Sequence, residues 1–316
     1  MMVNNLLENV TKAYKERDLE SLKSLAIPQD RVINTRDDFR SVLMLSCNKI
    51  KHLGKIESLE CDCVMLNLED GVSKEDKPFA LELCAIFLSQ HKKIDKKMVV
   101  RVNSLDEGGY DEILYLNRFK PDAIRVPKVE TKTQIDSILK ILDKDIELHI
   151  SIETAQSWNN LASLGLDRRV TTFYLGVLDL FADMNLPQSL IDLENPTMLY
   201  LLSHFLITSK SVNIKPVSFV YQDFKNLEQF SKWIELEKKM GFDSKGCISP
   251  KQVELVNKLF RDNDSEIDRA KEIIKLFEQN EKDGISGFVD ERYGFIDEPI
   301  YKGAKSLIKR VCDDKK

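Results

Sequence analysis

Four stretches decide how this chain folds: MVVRV (98–102), AIRVP (123–127), HISIE (149–153) and TFYLG (172–176). All are short, and several of the chain's strand runs are nearly continuously apolar, as strands of a parallel sheet covered on both faces should be. Between two of them, KTQIDSILKIL (132–142) sets its apolar residues three or four apart, the period of a helix with one buried side. The beat is regular. Arg101, Pro127, Glu153 and Asp179 stand 26 residues apart, and Asp223 precedes Ser249 by the same step. A repeating strand-plus-helix unit of that length returns every strand end to one rim. Outward from this centre, SVLMLS (41–46), CVMLNL (63–68), VSFVY (217–221) and GCIS (246–249) read as four further strands, and LEQFSKWIELEKKM (227–240) as another helix. Eight units predict an α/β fold of the (β/α)₈ barrel type. A doubly wound open sheet would need a glycine-rich phosphate turn after an early strand, and the sequence has none.

Three segments follow from this reading. Residues 1–38 form an N-terminal helical extension, LLENVTKAYKER and DLESLKSL, ending at Pro28 and amphipathic enough to pack on the barrel or a partner subunit. Residues 39–262 form the barrel. Residues 263–316 form a C-terminal appendage: a long helix over 264–281 capped by Asp264 or Ser265, a glycine-punctuated hairpin in KDGISGFVDERYGFIDEP, and a last helix in YKGAKSLIKRV. The 316 residues would suggest two domains by length alone, but α/β barrels of roughly 250 residues fold as one.

Composition narrows the function. With 42% hydrophobic residues the chain can bury a large core, and its formal charge of −5 with basic and acidic residues interleaved leaves no footprint for nucleic acid. No apolar run reaches transmembrane length, and the N-terminus carries acids where a secretory signal would be apolar, so no membrane partner and a cytoplasmic setting are expected. Six scattered cysteines then read as reduced thiols. Cys61-x-Cys63 lacks a second Cys or His pair nearby, which favours buried thiols over a metal site.

In such a barrel, polar groups at strand C-termini build the site. Five strand ends carry them: Glu69-Asp70-Gly71, Arg101-Val102-Asn103, Lys128-Val129-Glu130, Glu153-Thr154-Ala155, and Asp179 after Gly176. Glu153 and Asp179 lie on consecutive strands. Two carboxylates without His or Cys suit a hard cation such as Mg²⁺, although exposed loop acids would look the same in sequence. Arg101 ends a Val-rich strand. Its guanidinium suits a substrate carboxylate, or alternatively a structural ion pair with Glu69 or Asp70.

Read in order, RSVLML…CDCVMLNLEDGVSKEDKPFA from Arg40, VVRVNS, IRVPKVET, SIETAQSWNNL, YLGVLDLFADMNL, MGFDSKGCISPKQVELVNKLF and YGFIDEPIYKGAKSLI resemble the motifs of the citrate lyase β-subunit and malyl-CoA lyase family, the HpcH/HpaI aldolase group, over residues 40–312. The resemblance implies a Mg²⁺-dependent carbon–carbon lyase acting on a 3-hydroxyacyl-CoA. By it, Glu153 and Asp179 would bind Mg²⁺, Arg101 would hold the keto acid's carboxylate, and Glu69 and Asp70 would support the site and its water. Asp297 would be an acid/base carboxylate that a C-terminal lid presents to a neighbouring subunit, making a homo-oligomer (dimer, trimer or hexamer) the working form. Lys128 and Arg40 would supply further anion contacts. The implied partners are an acyl-CoA and a keto acid.

The chain departs from the family pattern at Asn67, where an Asp opens the DLED motif, and at Leu45-Ser46-Cys47, where Val-Pro-Gly follows the first strand. It departs again at Leu178 and at Ser249-Pro250, which replaces His-Pro. Three activities therefore remain open: a lyase for malyl-, citramalyl- or citryl-thioesters, an aldolase for a free hydroxy-keto acid, and a barrel kept for binding alone.

Overall fold

The computed structural model describes residues 4–261 and 263–313. Its contacts divide the chain after Phe260 into two compact units.

The first unit is the expected (β/α)₈ barrel. Its strands are β1 (Ser41–Ser46), β2 (Cys63–Asn67), β3 (Lys97–Arg101), β4 (Ala123–Val126), β5 (Glu147–Ile152), β6 (Val170–Leu175), β7 (Lys215–Val217) and β8 (Lys245–Cys247). All pair in parallel in the order β7-β6-β5-β4-β3-β2-β1-β8. A single bridge, Ser218 to Lys245, closes the ring between β7 and β8.

The period-two alternation of strands sorts the core into two layers. Leu43, Val64, Leu66, Val100, Ile124, Ile150 and Phe173 join the helices in one large cluster. Val42, Cys63, Met65, Val99, Ala123, Tyr174 and Val217 form a separate small cluster with Phe39, the barrel's interior. That interior is partly polar. Glu147 binds the Lys97 ammonium at 2.7 and 2.8 Å and accepts from the Thr171 hydroxyl at 2.6 Å. His149 spans the gap between Glu147 (3.2 Å) and the Tyr174 hydroxyl (3.1 Å).

The seventh strand lies earlier than 217–221. Lys215 starts it, its ammonium held by Asp243 at 3.1 Å and stacked over Phe39, while the more apolar Phe219–Tyr221 run leads up to the rim without a ladder. Residues whose charge is neutralised locally can enter a strand that apolar counting alone would exclude.

The extension is two helices, Asn4–Lys15 and Leu19–Leu25, whose Val10, Ala13 and Leu22 join the main core. Arg17 lies over the Phe79 ring at 3.8 Å, pairs with Asp76 and donates to the Glu75 carbonyl. Asn48, in the loop after β1, donates to the same Asp76 at 3.1 Å. The extension thus packs against the barrel helix Lys77–Gln90.

The second unit contains the helix Asp264–Lys282, the antiparallel hairpin β9 (Gly287–Asp290) and β10 (Gly294–Asp297), and the helix Glu298–Asp313. Ala270, Ile273, Phe277, Ile296 and Ala304 form its own small core. The cap of its first helix is Asn263, not Asp264 or Ser265: the Asn263 side chain accepts from the Ser265 N–H, which moves the boundary back by one residue.

Candidate active site

The C-terminal ends of β2 to β6 converge on a cavity of about 250 Å³ lined by Asp70, Arg101, Arg125, Glu153 and Asp179, with Met44, Leu178 and Val220 as an apolar wall. A larger cavity of about 630 Å³ opens at the other end of the strands, around Asp37, Thr171 and Lys215. Two of its polar groups already have partners, Thr171 on Glu147 and Lys215 on Asp243. The first holds the paired rim carboxylates Glu153 and Asp179.

Glu153 follows the last residue of β5 and is 4% exposed. Two neighbours shape its place. Lys128 adopts a left-handed backbone (φ 53°), which aims its N–H at Glu153 Oε1, 3.0 Å away. Gly176 leaves the space that the Glu153 side chain fills: a Cβ there would sit 2.6 Å from Glu153 Cβ and 2.9 Å from Oε2. Thr154 then caps the short helix Ala155–Asn159 and turns the chain outward. Burial pushes the Glu153 carboxyl up, Arg125 and Arg101 pull it down, and the nearby charge of Asp179 pushes it up again. Asp179 itself is exposed in the first turn of the helix Val177–Asp183, whose N-terminus opens at Gly176.

Arg101 is largely buried. Its Nε donates to Asn67 Oδ1 at 2.7 Å, and its Nη1 lies 3.0 Å from Glu69 and 3.7 Å from Asp70. It therefore makes the ion pairs that were one of its two expected uses, and it also faces the cavity. Glu69 is buried behind it and accepts from the Asp70 N–H at 2.9 Å. Burial raises the Glu69 pKa, with Arg101 opposing. Gly71 takes a left-handed backbone (φ 83°), which lets this turn bend under the rim.

One expected anion contact, Arg40, is not brought to the site. Arg40 precedes β1, at the opposite end of the strands from the cavity, where its guanidinium lies 3.6 Å from Asp62 and its carbonyl accepts from Lys245 N–H. Lys128 contributes its backbone while its side chain is exposed. Asp297 ends β10 in the second unit, half-buried, with Oδ1 accepting from the Ile300 N–H at 3.2 Å.

The site also holds a residue that sequence reasoning passed over. Arg125 stands beside Arg101 in the ladder, its Nε donating to Ser151 Oγ at 2.8 Å and its guanidinium 4.3 Å over the Tyr174 ring. The alternation that turns it inward was present in AIRVP, but its pairing was not.

These groups fit a divalent cation. Glu153 is a buried carboxylate with no Lys or Arg side-chain nitrogen within 4 Å among the described residues, beside a second carboxylate that raises its pKa. Hard oxygen donors of this kind, completed by water and substrate oxygens, match Mg²⁺. Cys61 and Cys63 are buried thiols, that of Cys61 pushed up to about 11 by burial. Among the described residues no helix is long and apolar enough to cross a membrane.

The family model for HpcH/HpaI aldolase/citrate lyase matches residues 40–250. A (3S)-malyl-CoA thioesterase from Cereibacter sphaeroides is 30% identical over 250 residues, 78% of this chain and 85% of that protein. The citrate lyase subunit beta of Haemophilus influenzae is 27% identical over 284 residues, 86% of this chain and 96% of that one. Among solved structures, CitE from Mycobacterium tuberculosis in complex with magnesium, acetoacetate and coenzyme A matches with a TM-score of 0.68 at 20% identity, over 86% of this chain and 97% of that one, and so shares the fold. The chain belongs to the HpcH/HpaI aldolase/citrate lyase family and is by class a carbon–carbon lyase.

Proposed function

We propose that the chain is a Mg²⁺-dependent lyase that cleaves or forms a 3-hydroxyacyl-CoA of the malyl, citramalyl or citryl type, interconverting it with a keto acid and an acyl-CoA. The observation that carries this reading is the Glu153–Asp179 carboxylate pair set against guanidinium groups in one rim cavity. The citrate lyase and malyl-CoA thioesterase relatives support the substrate class.

Glu153 and Asp179 would hold the cation, which when bound stabilises negative charge on the hydroxyl oxygen that becomes the keto carbonyl. Arg101 orients the acid end of the substrate, with Glu69 and Asp70 fixing Arg101 and the site water in turn. As an acid/base carboxylate takes the hydroxyl proton, the carbon–carbon bond breaks and its electron pair is left on the thioester as an enolate. That enolate needs a proton at carbon. Asp297 is proposed as the acid/base carboxylate, acting in the site of a second copy of the chain, so that a homo-oligomer is the working form.

The test is keto acid release from malyl-, citramalyl- and citryl-CoA, with Mg²⁺ and with EDTA, for the parent and Glu153→Ala. Release that needs Mg²⁺ and vanishes in the variant is expected. A folded protein that binds Mg²⁺ yet releases nothing from any thioester would sink this reading, and cleavage of a free hydroxy-keto acid would then put an aldolase in its place.

A further inference from the structure

Arg101 and Arg125 are Cα partners across β3 and β4, two cations placed directly opposite each other in a ladder. Like charges in that position destabilise a sheet. Arg101 is compensated by Glu69 at 3.0 Å and Asp70 at 3.7 Å. Arg125 is not. It is 6% exposed, and among the described residues no carboxylate oxygen lies within 4 Å of it. Its partners are neutral: the Ser151 hydroxyl on Nε, the Met65 sulfur 3.1 Å from Nη1, and the Tyr174 ring at 4.3 Å. Nη2 makes no hydrogen bond to the protein among the described residues, and the residue lines the cavity.

A buried guanidinium without a carboxylate in contact is costly in the free protein, so its persistence at a rim cavity points to an anion supplied from outside. Its mounting is rigid. The Tyr174 hydroxyl is held by His149, and His149 by Glu147, so a chain of contacts from the barrel interior fixes the platform beneath the guanidinium. A divalent cation on Glu153 would deepen the need, because it would occupy the nearest acidic group.

We infer that Arg125 is a substrate-binding residue that receives the carboxylate of the acid fragment beside Arg101. This rests on the proposed function only in taking the same cavity as the substrate site; the binding itself requires no lyase chemistry. The carboxylate class follows from the planar two-pronged donor that a guanidinium offers.

The test is calorimetric titration of the full chain in Mg²⁺ with pyruvate, glyoxylate and oxaloacetate, for the parent, Arg125→Met and Arg125→Lys, with the Tm of each ligand-free protein. At least one acid binds the parent, and Arg125→Met weakens it by about tenfold or more, the loss of one charge-assisted contact. Arg125→Met also keeps or raises the ligand-free Tm, because it removes an uncompensated buried charge; a purely structural arginine would lower it. Should Arg125→Met fail to fold, Arg125→Lys is read instead, and a weakened Kd supports the assignment. Parent-like affinity in the folded variant, or no acid bound by the parent, overturns it. Arg125-dependent binding without thioester cleavage would sink the lyase reading alone, and cleavage with Arg125-independent binding would sink this inference alone.

Discussion

The Asn67 side chain joins Arg101 to the turn that follows its own strand: Oδ1 accepts the Arg101 Nε–H at 2.7 Å, while Nδ2 donates to the Asp70 carbonyl. An aspartate could accept from Arg101 but could not donate to that carbonyl. Asn67 is thus a bridge between the guanidinium and the Glu69-Asp70 turn.

Replacing Asn67 by leucine, close in volume, strands the Arg101 Nε–H and the Asp70 carbonyl together. The expected cost is about 1–3 kcal/mol, the penalty for buried polar groups left unpaired. Urea denaturation measures it, and an unchanged midpoint would remove Asn67 from the support of Arg101.

Gly176→Ala places a methyl where Glu153 lies, 2.6 Å from its Cβ. The glycine's own backbone is ordinary (φ −91°), so strain at residue 176 is not the issue. Glu153 must move. Mg²⁺ affinity is expected to fall by about tenfold or more, as when the support of a metal ligand is disturbed, with the circular dichroism spectrum retained. Parent-like Mg²⁺ titration would show that Glu153 is not a ligand.

The barrel interior should make the protein sensitive to mild acid. Burial pushes His149 down to about 4, below its ordinary 6.5. A histidine with a depressed folded pKa stabilises the fold above its unfolded value and loses that contribution as pH falls from 6.5 toward 4. For Glu147, burial alone would raise the pKa, but the hydrogen bond to His149 and the charges of His149 and Lys97 prevail and bring it to about 2. Its contribution is lost only below about 4.5. Between pH 7 and 5 the stability should therefore drop by about 2 kcal/mol, through His149 first. His149→Gln should flatten that interval in urea titrations, and an equal slope in parent and variant would count against it.

Lys245 and Glu237, both fully buried, meet at 2.6 Å, and the Lys245 ammonium also donates to the Phe219 carbonyl at 2.9 Å. The Ser218 hydroxyl completes the group by donating to Glu237. Lys245→Met leaves Glu237 as a lone buried acid and should cost about 3–5 kcal/mol. Lys245→Met combined with Glu237→Leu should recover much of it. A double variant as unstable as the single one would contradict the pairing.

Much of the barrel is legible in the sequence because most of its strands are dense apolar runs with helix-period segments between them. SVLMLS over 41–46 is observed as read, and LEQFSKWIELEKKM likewise. Strand starts were harder to see. β5 begins at Glu147 and β7 at Lys215, charged residues that enter a buried sheet only because Lys97 and Asp243 neutralise them across 50 and 28 positions of sequence. The rim acids Glu153 and Asp179 and the guanidinium of Arg101 follow from the 26-residue step and meet in one cavity. Arg125 could not be found that way. It sits inside a strand rather than after one, and only the register with Arg101 shows that two cations share the wall. Arg40 was misplaced for the converse reason: a residue before its strand points to the far mouth, whatever motif it begins.

The closing seam between β7 and β8 rests on one bridge where its neighbours rest on three or more register pairs. A hoop fails at its thinnest stave, so amide exchange should open the cylinder there ahead of the β2–β5 arc, and the buried Lys245–Glu237 clasp is the rivet that delays it.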